Sequence, residues 1–124
     1  MITKLLLLSV FGALGTIARA EMSALVQRLC GVNFPWGTVS VNLVGSLLFG
    51  LVWTAAAGSA RVADIRLVAL TGFMGAFTTF STFMFDTEQL AETSRLGAAA
   101  GNLALQNVAG FVCMAVGLAI GRAF

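Results

Sequence analysis

Asn42 lies in the middle of an apolar run from Trp36 to Ala57, with Thr38 four residues before it and Ser46 four residues after. On a helix these three share one stripe. A carboxamide carries two N–H donors that must find acceptors, and in lipid an unpaired one costs several kcal/mol, so Asn42 must face protein or water. That leaves an interhelical hydrogen bond or a donor presented to a permeating anion. Arg19, Ser23 and Gln27 form a similar stripe further upstream, with Gly12 and Gly15 extending that side. A bilayer-embedded arginine costs about 2.5–3.5 kcal/mol on insertion scales, so Arg19 either snorkels from a membrane end or has a functional or pairing role. The string Thr71-Gly72-Phe73-Met74-Gly75-Ala76-Phe77-Thr78-Thr79-Phe80-Ser81-Thr82-Phe83 sets glycines and hydroxyls among phenylalanines. Taken alone, phenylalanines at helical spacing are packing residues. The glycines and hydroxyls suit a helix broken where it lines a cavity or meets another protein surface.

Other chemistries are excluded by composition. The chain has no histidine or tyrosine and two distant cysteines, Cys30 and Cys113. No zinc site, Cys–His nucleophile or disulfide framework can be built from these. Cys113, inside an apolar run, reads as a small packing residue. A Walker-type phosphate loop is missing, which argues against ATP-driven transport. Nor can a nucleophile–base pair be assembled, so the chain does not read as an enzyme.

The elements that must position these residues follow from hydropathy. Of 124 residues, 59% are apolar and 10% charged, with a mean hydropathy of +0.97. A soluble domain of this size cannot hide so much apolar surface. A bilayer can, at about 20 mostly apolar residues per span. The sequence predicts one all-α domain over 1–124, with transmembrane helices at about 3–29, 36–57, 65–91 and 97–121 and the third broken at mid-span. Lys4, the run Leu5 to Val10 and Ala18-Arg19-Ala20 imitate a signal peptide. An arginine in the cleavage triplet is unusual, however, and the helical pattern continues to about Leu29, so the segment reads as a retained first span.

The loop from Gly31 to Trp36 offers Asn33 for capping, Pro35 for a first helical turn and Trp36 for the interfacial belt. A polar loop follows at 58–66, with Arg61, Asp64 and Arg66. Asp86, Glu88 and Glu92 mark the exit of the third span. In the fourth, Asn102, Gln106, Gly110, Cys113, Gly117 and Gly121 share a face, polar at one end and small at the other, where Gly117 and Gly121 form a GxxxG packing pair. Lys4, Arg61, Arg66 and Arg122 lie on the side of both termini, against Arg28 and Arg95, a feeble orientation bias that suits insertion in both directions and equally a weakly biased one-way protein. Four such helices pack into a solid bundle that scarcely encloses a pore, which favours an oligomer.

Three blocks carry a resemblance. Gly12-x-x-Gly15-x-x-x-Arg19, then Trp36-Gly37-Thr38-x-x-Val41-Asn42-x-x-Gly45, then Thr71-Gly72-Phe73-x-Gly75-x-x-Thr78-Thr79-Phe80-Ser81-Thr82-Phe83 closely resemble the Fluc-type (CrcB-like) fluoride channel family. In order and spacing they cover nearly the whole chain. The resemblance implies an antiparallel, dual-topology homodimer in the bacterial inner membrane, with two pores that export fluoride passively. It implies that Asn42 offers amide donors to the ion, that Phe80 and Phe83 turn ring edges to it, and that Ser81 and Thr82 supply hydroxyls along a polar track. It further implies a structural sodium ion at the dimer centre, held by the backbone carbonyls of Gly75 and Thr78. Arg19, Thr79 and Asp86 become vestibule or structural residues.

This chain departs from the pattern in three places. Ala76 stands where a second glycine is common, Asp86 where glutamate is expected, and a fourth-helix tyrosine of some relatives is absent. Asn102 and Gln106 are the polar groups available there. Two other readings use the same four spans. A small multidrug-resistance-like proton antiporter needs an intramembrane carboxylate, for which Glu21 is the first-span candidate. A holin-like assembly subunit would need only the small-residue packing faces.

Overall fold

The computed structural model describes residues 2–55, 64 and 66–123, and every regular element among them is helical. Helix α1 is Ile2–Cys30 and α2 is Trp36–Ala55. The third span begins as a wide π-helical segment, Val68–Met74, that tightens into the α-helical turn Gly75–Phe77; together these are α3. Helix α4 is Phe80–Glu92 and α5 is Leu96–Gly121. Ile2–Cys30, Trp36–Ala55, Val68–Glu92 and Leu96–Gly121 are each long and apolar enough to cross a membrane. The chain is thus a multi-pass membrane protein. At about 1.5 Å per residue, α1 exceeds a hydrocarbon core of about 30 Å, so it tilts or projects. Ala57, Ile65 and Arg61, with most of the polar loop expected at 58–66, lie outside the described residues. Asp64 is described and pairs with Lys4 at 2.7 Å; both side chains are exposed, so the pair adds little stability.

Close backbone approach sets the packing. The largest helix contact is between α2 and α5, and it is made by glycines on both sides. A Cβ on Gly50 would lie 2.5 Å from the Met114 carbonyl oxygen, and one on Gly117 would lie 2.1 Å from that of Leu47. Gly121 meets Leu51 and Thr54 in the same way. The predicted GxxxG pair is therefore the seam between α2 and α5. Without a hydrophobic force between helices in lipid, such close packing supplies much of the association energy. Gly117→Ala is expected to destabilise the folded protein by about 1–3 kcal/mol, read as a lower unfolding midpoint in detergent. Gly101→Ala, where an added Cβ meets nothing within 4 Å, should leave the midpoint unchanged.

Few apolar side chains are buried: Val39 and Val41 of α2, Val68, Leu70, Met74 and Phe77 of α3, Phe83 and Leu90 of α4, and Ala99 of α5. Most long apolar residues of α1 and α5 point outward, as lipid-facing surfaces do. Gly15 of α1 sits directly against the Phe73 carbonyl, so this stripe docks the first span onto the third.

The turn into α2 differs from the expectation. Gln27 Nε2 donates to the carbonyls of Gly31 (2.6 Å) and Phe34 (2.9 Å), while its Oε1 accepts from Gly37 N–H at 3.0 Å. Gln27 thus ties the loop and satisfies one of the orphan donors that open α2. Asn33, expected to help cap, is exposed and makes no hydrogen bond among those of the described residues. The physical reason is reach. Gly31, at φ +88°, folds the chain back under the end of α1, where the longer amide lies closest.

Candidate functional site

Between α3 and α4 the backbone leaves the helix for two residues. Thr78 has ψ 159° and Thr79 has φ −147° and ψ 117°, both extended. Thr79 then caps α4, its Oγ1 accepting from Thr82 N–H at 3.2 Å. Asn42 completes the arrangement from α2. Its Oδ1 accepts from Thr79 N–H at 2.8 Å, and its Nδ2 donates to Thr79 O at 3.0 Å. This reciprocal pair replaces the ladder bonds lost where the helix opens. Gly45, one turn along α2, leaves room for it: a Cβ there would lie 2.2 Å from Thr78 Cγ2.

The opening frees carbonyls. In a continuous helix Gly75 O would accept from Thr79 N–H, and Thr78 O from Thr82 N–H. Those donors go instead to Asn42 Oδ1 and to Thr79 Oγ1. The Gly75 and Thr78 carbonyls therefore keep lone pairs outside the ladder, on an exposed and a half-buried residue respectively. Hard oxygen donors of this kind at a half-helix C-terminus suit an alkali cation.

A cavity of about 290 Å³ lies against the opening. Asn42, Ser46, Thr79, Phe80, Phe83 and Gln106 are among its lining. Phe80 and Phe83 meet edge to face, with centroids 5.8 Å apart and planes at 75°. Phe83 is buried at 5% exposure, whereas Phe80 is 72% exposed, so the cavity is walled by the fold on one side and open on the other. The rings carry partial positive charge on their edges.

Further spaces share lining residues with this one. Thr79 also borders a space of about 360 Å³ with Arg19, Thr38 and Thr82. Thr38 and Thr82 in turn border a space of about 550 Å³ that holds Asp86 and Arg95. Asp86 is held by Thr38, whose Oγ1 donates to Oδ2 at 2.5 Å. On the opposite flank, Phe49 joins the central cavity to a space of about 340 Å³ beside Arg66. There the Arg66 guanidinium lies 4.4 Å from the Trp53 ring centroid, a cation–π contact not foreseeable from spacing.

The sequence-predicted residues therefore divide. Asn42, Phe80 and Phe83 converge on one cavity, and Thr79 joins them. Thr82, Arg19 and Asp86 line the spaces that follow. Ser81 is exposed, with Oγ 3.4 Å from Thr79 Oγ1, and lines none of these four spaces. Glu21 is exposed and also lines none of them. Gln106 and Asn102, which the sequence left without a role, form a buried amide ladder. Asn42 Nδ2 donates to Gln106 Oε1 at 2.6 Å, and Gln106 Nε2 donates to Asn102 Oδ1 at 2.9 Å. Asn102 Nδ2 donates to Thr87 Oγ1 at 2.8 Å, and that hydroxyl donates to Phe83 O at 2.7 Å. The four-residue spacing of Asn102 and Gln106 was the available signal.

The model of the family described as CrcB-like protein, Camphor Resistance (CrcB), matches residues 6–118. The chain is 49% identical over 123 residues to a protein of Solidesulfovibrio magneticus named fluoride-specific ion channel FluC, covering 98% of each chain. A protein of the same name from Nitrosococcus oceani is 47% identical over 120 residues, covering 96% of each. One from Maridesulfovibrio salexigens is 42% identical over 120 residues, covering 96% of this chain and 95% of the relative.

Proposed function

The chain belongs to the CrcB-like protein family, and from that premise we propose that it is a fluoride-specific ion channel, not an enzyme. The observation that carries the reading is the convergence of Asn42, Phe80 and Phe83 on one polar-and-aromatic cavity beside the opening in the third span. Fluoride is small and holds its water tightly, so a pore must replace that shell before the ion will leave bulk solvent. Amide and hydroxyl hydrogens from Asn42, Thr79, Thr82 and Gln106 can do this where they exchange a protein partner for the ion, and aromatic ring edges assist while ring faces would not. A lysine or arginine in the narrow part would bind too firmly, since conduction needs weak sites in series. Arg19 and Arg66 instead stand in flanking spaces, where positive charge raises the local anion concentration without trapping it, while Arg95 shares its space with Asp86.

Transport is passive. A negative cell interior pushes an anion outward with about 2.3 kcal/mol for every ~100 mV, so the chain lowers cytoplasmic fluoride without a nucleotide site. The membrane is the inner membrane of a bacterium.

The working unit is an antiparallel homodimer with two pores. Phe80, a cavity residue that is 72% exposed in the single chain, supports this, because a second copy would close the cavity's open side. In that unit the opening in the third span falls near mid-membrane. The Gly75 and Thr78 carbonyls of both copies would then hold a structural sodium ion, which supplies charge to oppose their dipoles and fixes the interface. Ser81, exposed beside Thr79, would join the polar track there.

Expression in bacteria stripped of their own fluoride export is expected to restore growth in fluoride medium. Failure to restore it, with protein present in the membrane, would count against fluoride export. No observation favours the antiporter reading, since Glu21 stands away from every cavity described.

A further inference from the structure

The cavity that should take the anion has no free hydrogen on Asn42. One Nδ2 hydrogen goes to the Thr79 carbonyl at 3.0 Å and the other to Gln106 Oε1 at 2.6 Å, and a carboxamide has only two. The Thr79 bond belongs to the reciprocal pair that holds the third span open, so it is the costly one to break. The Gln106 bond is a side-chain contact on the cavity wall. An anion reaching Asn42 must therefore displace Gln106 Oε1, whose lone pairs would repel it.

Gln106 can give way. Its terminal torsion is an sp³–sp² bond with a broad, roughly two-fold profile, so the carboxamide turns without moving the helix. One Nε2 hydrogen is held by Asn102 Oδ1 at 2.9 Å, and the second has no partner among the described residues. Asn102 is fully buried and is held in turn by Thr87, whose hydroxyl is bonded to the Phe83 carbonyl. Because Oε1 and Nε2 share one planar group, the turn that takes Oε1 from Asn42 also loosens the Nε2 bond to the fixed Asn102 and swings that nitrogen toward the cavity.

Resting on the channel reading above, we propose that Gln106 is a donor-exchange residue of the pore. As fluoride arrives, the Gln106 carboxamide turns its oxygen away from Asn42 and offers an Nε2 hydrogen to the ion. As fluoride leaves, Oε1 recaptures the Asn42 hydrogen. The ion gains two amide donors but must first break the Asn42–Gln106 bond and loosen the Gln106–Asn102 bond, so its binding stays shallow enough for release. The same exchange discriminates among halides. Fluoride is the strongest hydrogen-bond acceptor of the series and competes with an amide oxygen, whereas chloride competes poorly.

The test is the fluoride dependence of flux through Gln106→Met in liposomes, beside the unaltered protein. Methionine keeps the length of the side chain and removes both its oxygen and its hydrogens. The half-saturating fluoride concentration should rise severalfold, because the ion loses an Nε2 donor, and a hydrogen bond to a charged group outweighs the neutral amide bond that no longer has to be broken. Maximal flux should fall roughly fivefold, the scale of one neutral amide hydrogen bond, because nothing recaptures the Asn42 hydrogen. Flux reduced at an unchanged half-saturation would mean fewer folded channels and a purely structural Gln106, overturning the proposal, as would no change in either quantity. Should Gln106→Met not give folded protein by gel filtration, Gln106→Asn reads the same split, since its shorter arm keeps the carboxamide but loses the reach to Asn42. Absence of fluoride flux in the unaltered protein would instead overturn the channel reading itself.

Discussion

Asn42→Asp is expected to reduce fluoride flux by roughly a thousandfold while chloride flux stays at background. The substitution is nearly isosteric, so its effect is chemical. It places a negative charge at the cavity, and two like charges about 4 Å apart at an effective dielectric of about 20 repel by about 4 kcal/mol, which is roughly three decades in occupancy. It also removes the two N–H donors that reach Thr79 O and Gln106 Oε1, leaving each acceptor facing another oxygen. The measurement is efflux into a fluoride electrode, with gel filtration to confirm that the variant remains folded. Flux within a few-fold of the unaltered protein would remove Asn42 from the pore.

Phe80→Ile should cut fluoride flux severalfold, up to roughly tenfold, with little loss of stability. Phe80 is 72% exposed in the single chain, so the smaller side chain opens no cavity in the monomer's core. What is lost is the ring edge beside Phe83, and edge-on aromatic contacts are worth about 0.5–1.5 kcal/mol each. Phe83→Ile would be a poorer probe, because Phe83 is buried at 5% exposure and its truncation carries a packing cost. An unaltered flux in Phe80→Ile would reduce its ring to a packing or interface element.

How much of this was readable beforehand depends on the range of the interaction. Hydropathy located all four spans, because transfer into lipid is a sum over consecutive residues. The seam at Gly117 and Gly121 was visible as spacing, though not that α2 would be its partner. The face shared by Asn102 and Gln106 was visible too, from the helical period. Their meeting with Asn42 was not, since it depends on how α2 and α5 are rotated about their glycines. Gln27 shows both sides. Periodicity put it on a stripe with Arg19 and Ser23, and the three border one space, but that its amide also closes the loop into α2 depends on the chain folding back at Gly31. For Thr79 the resemblance implies only a structural or vestibule place. Its capping of α4 and its pairing with Asn42 need the extended backbone of two residues, which no local preference for threonine specifies.

The central claim is that the Asn42–Phe80–Phe83 cavity conducts fluoride and not chloride. The most direct test is efflux from liposomes holding the purified protein, loaded in parallel with fluoride or chloride and released by valinomycin in a potassium gradient. Rapid fluoride release with chloride release no greater than from protein-free liposomes is the predicted result. Folded protein that releases neither ion, or both at similar rates, would contradict it.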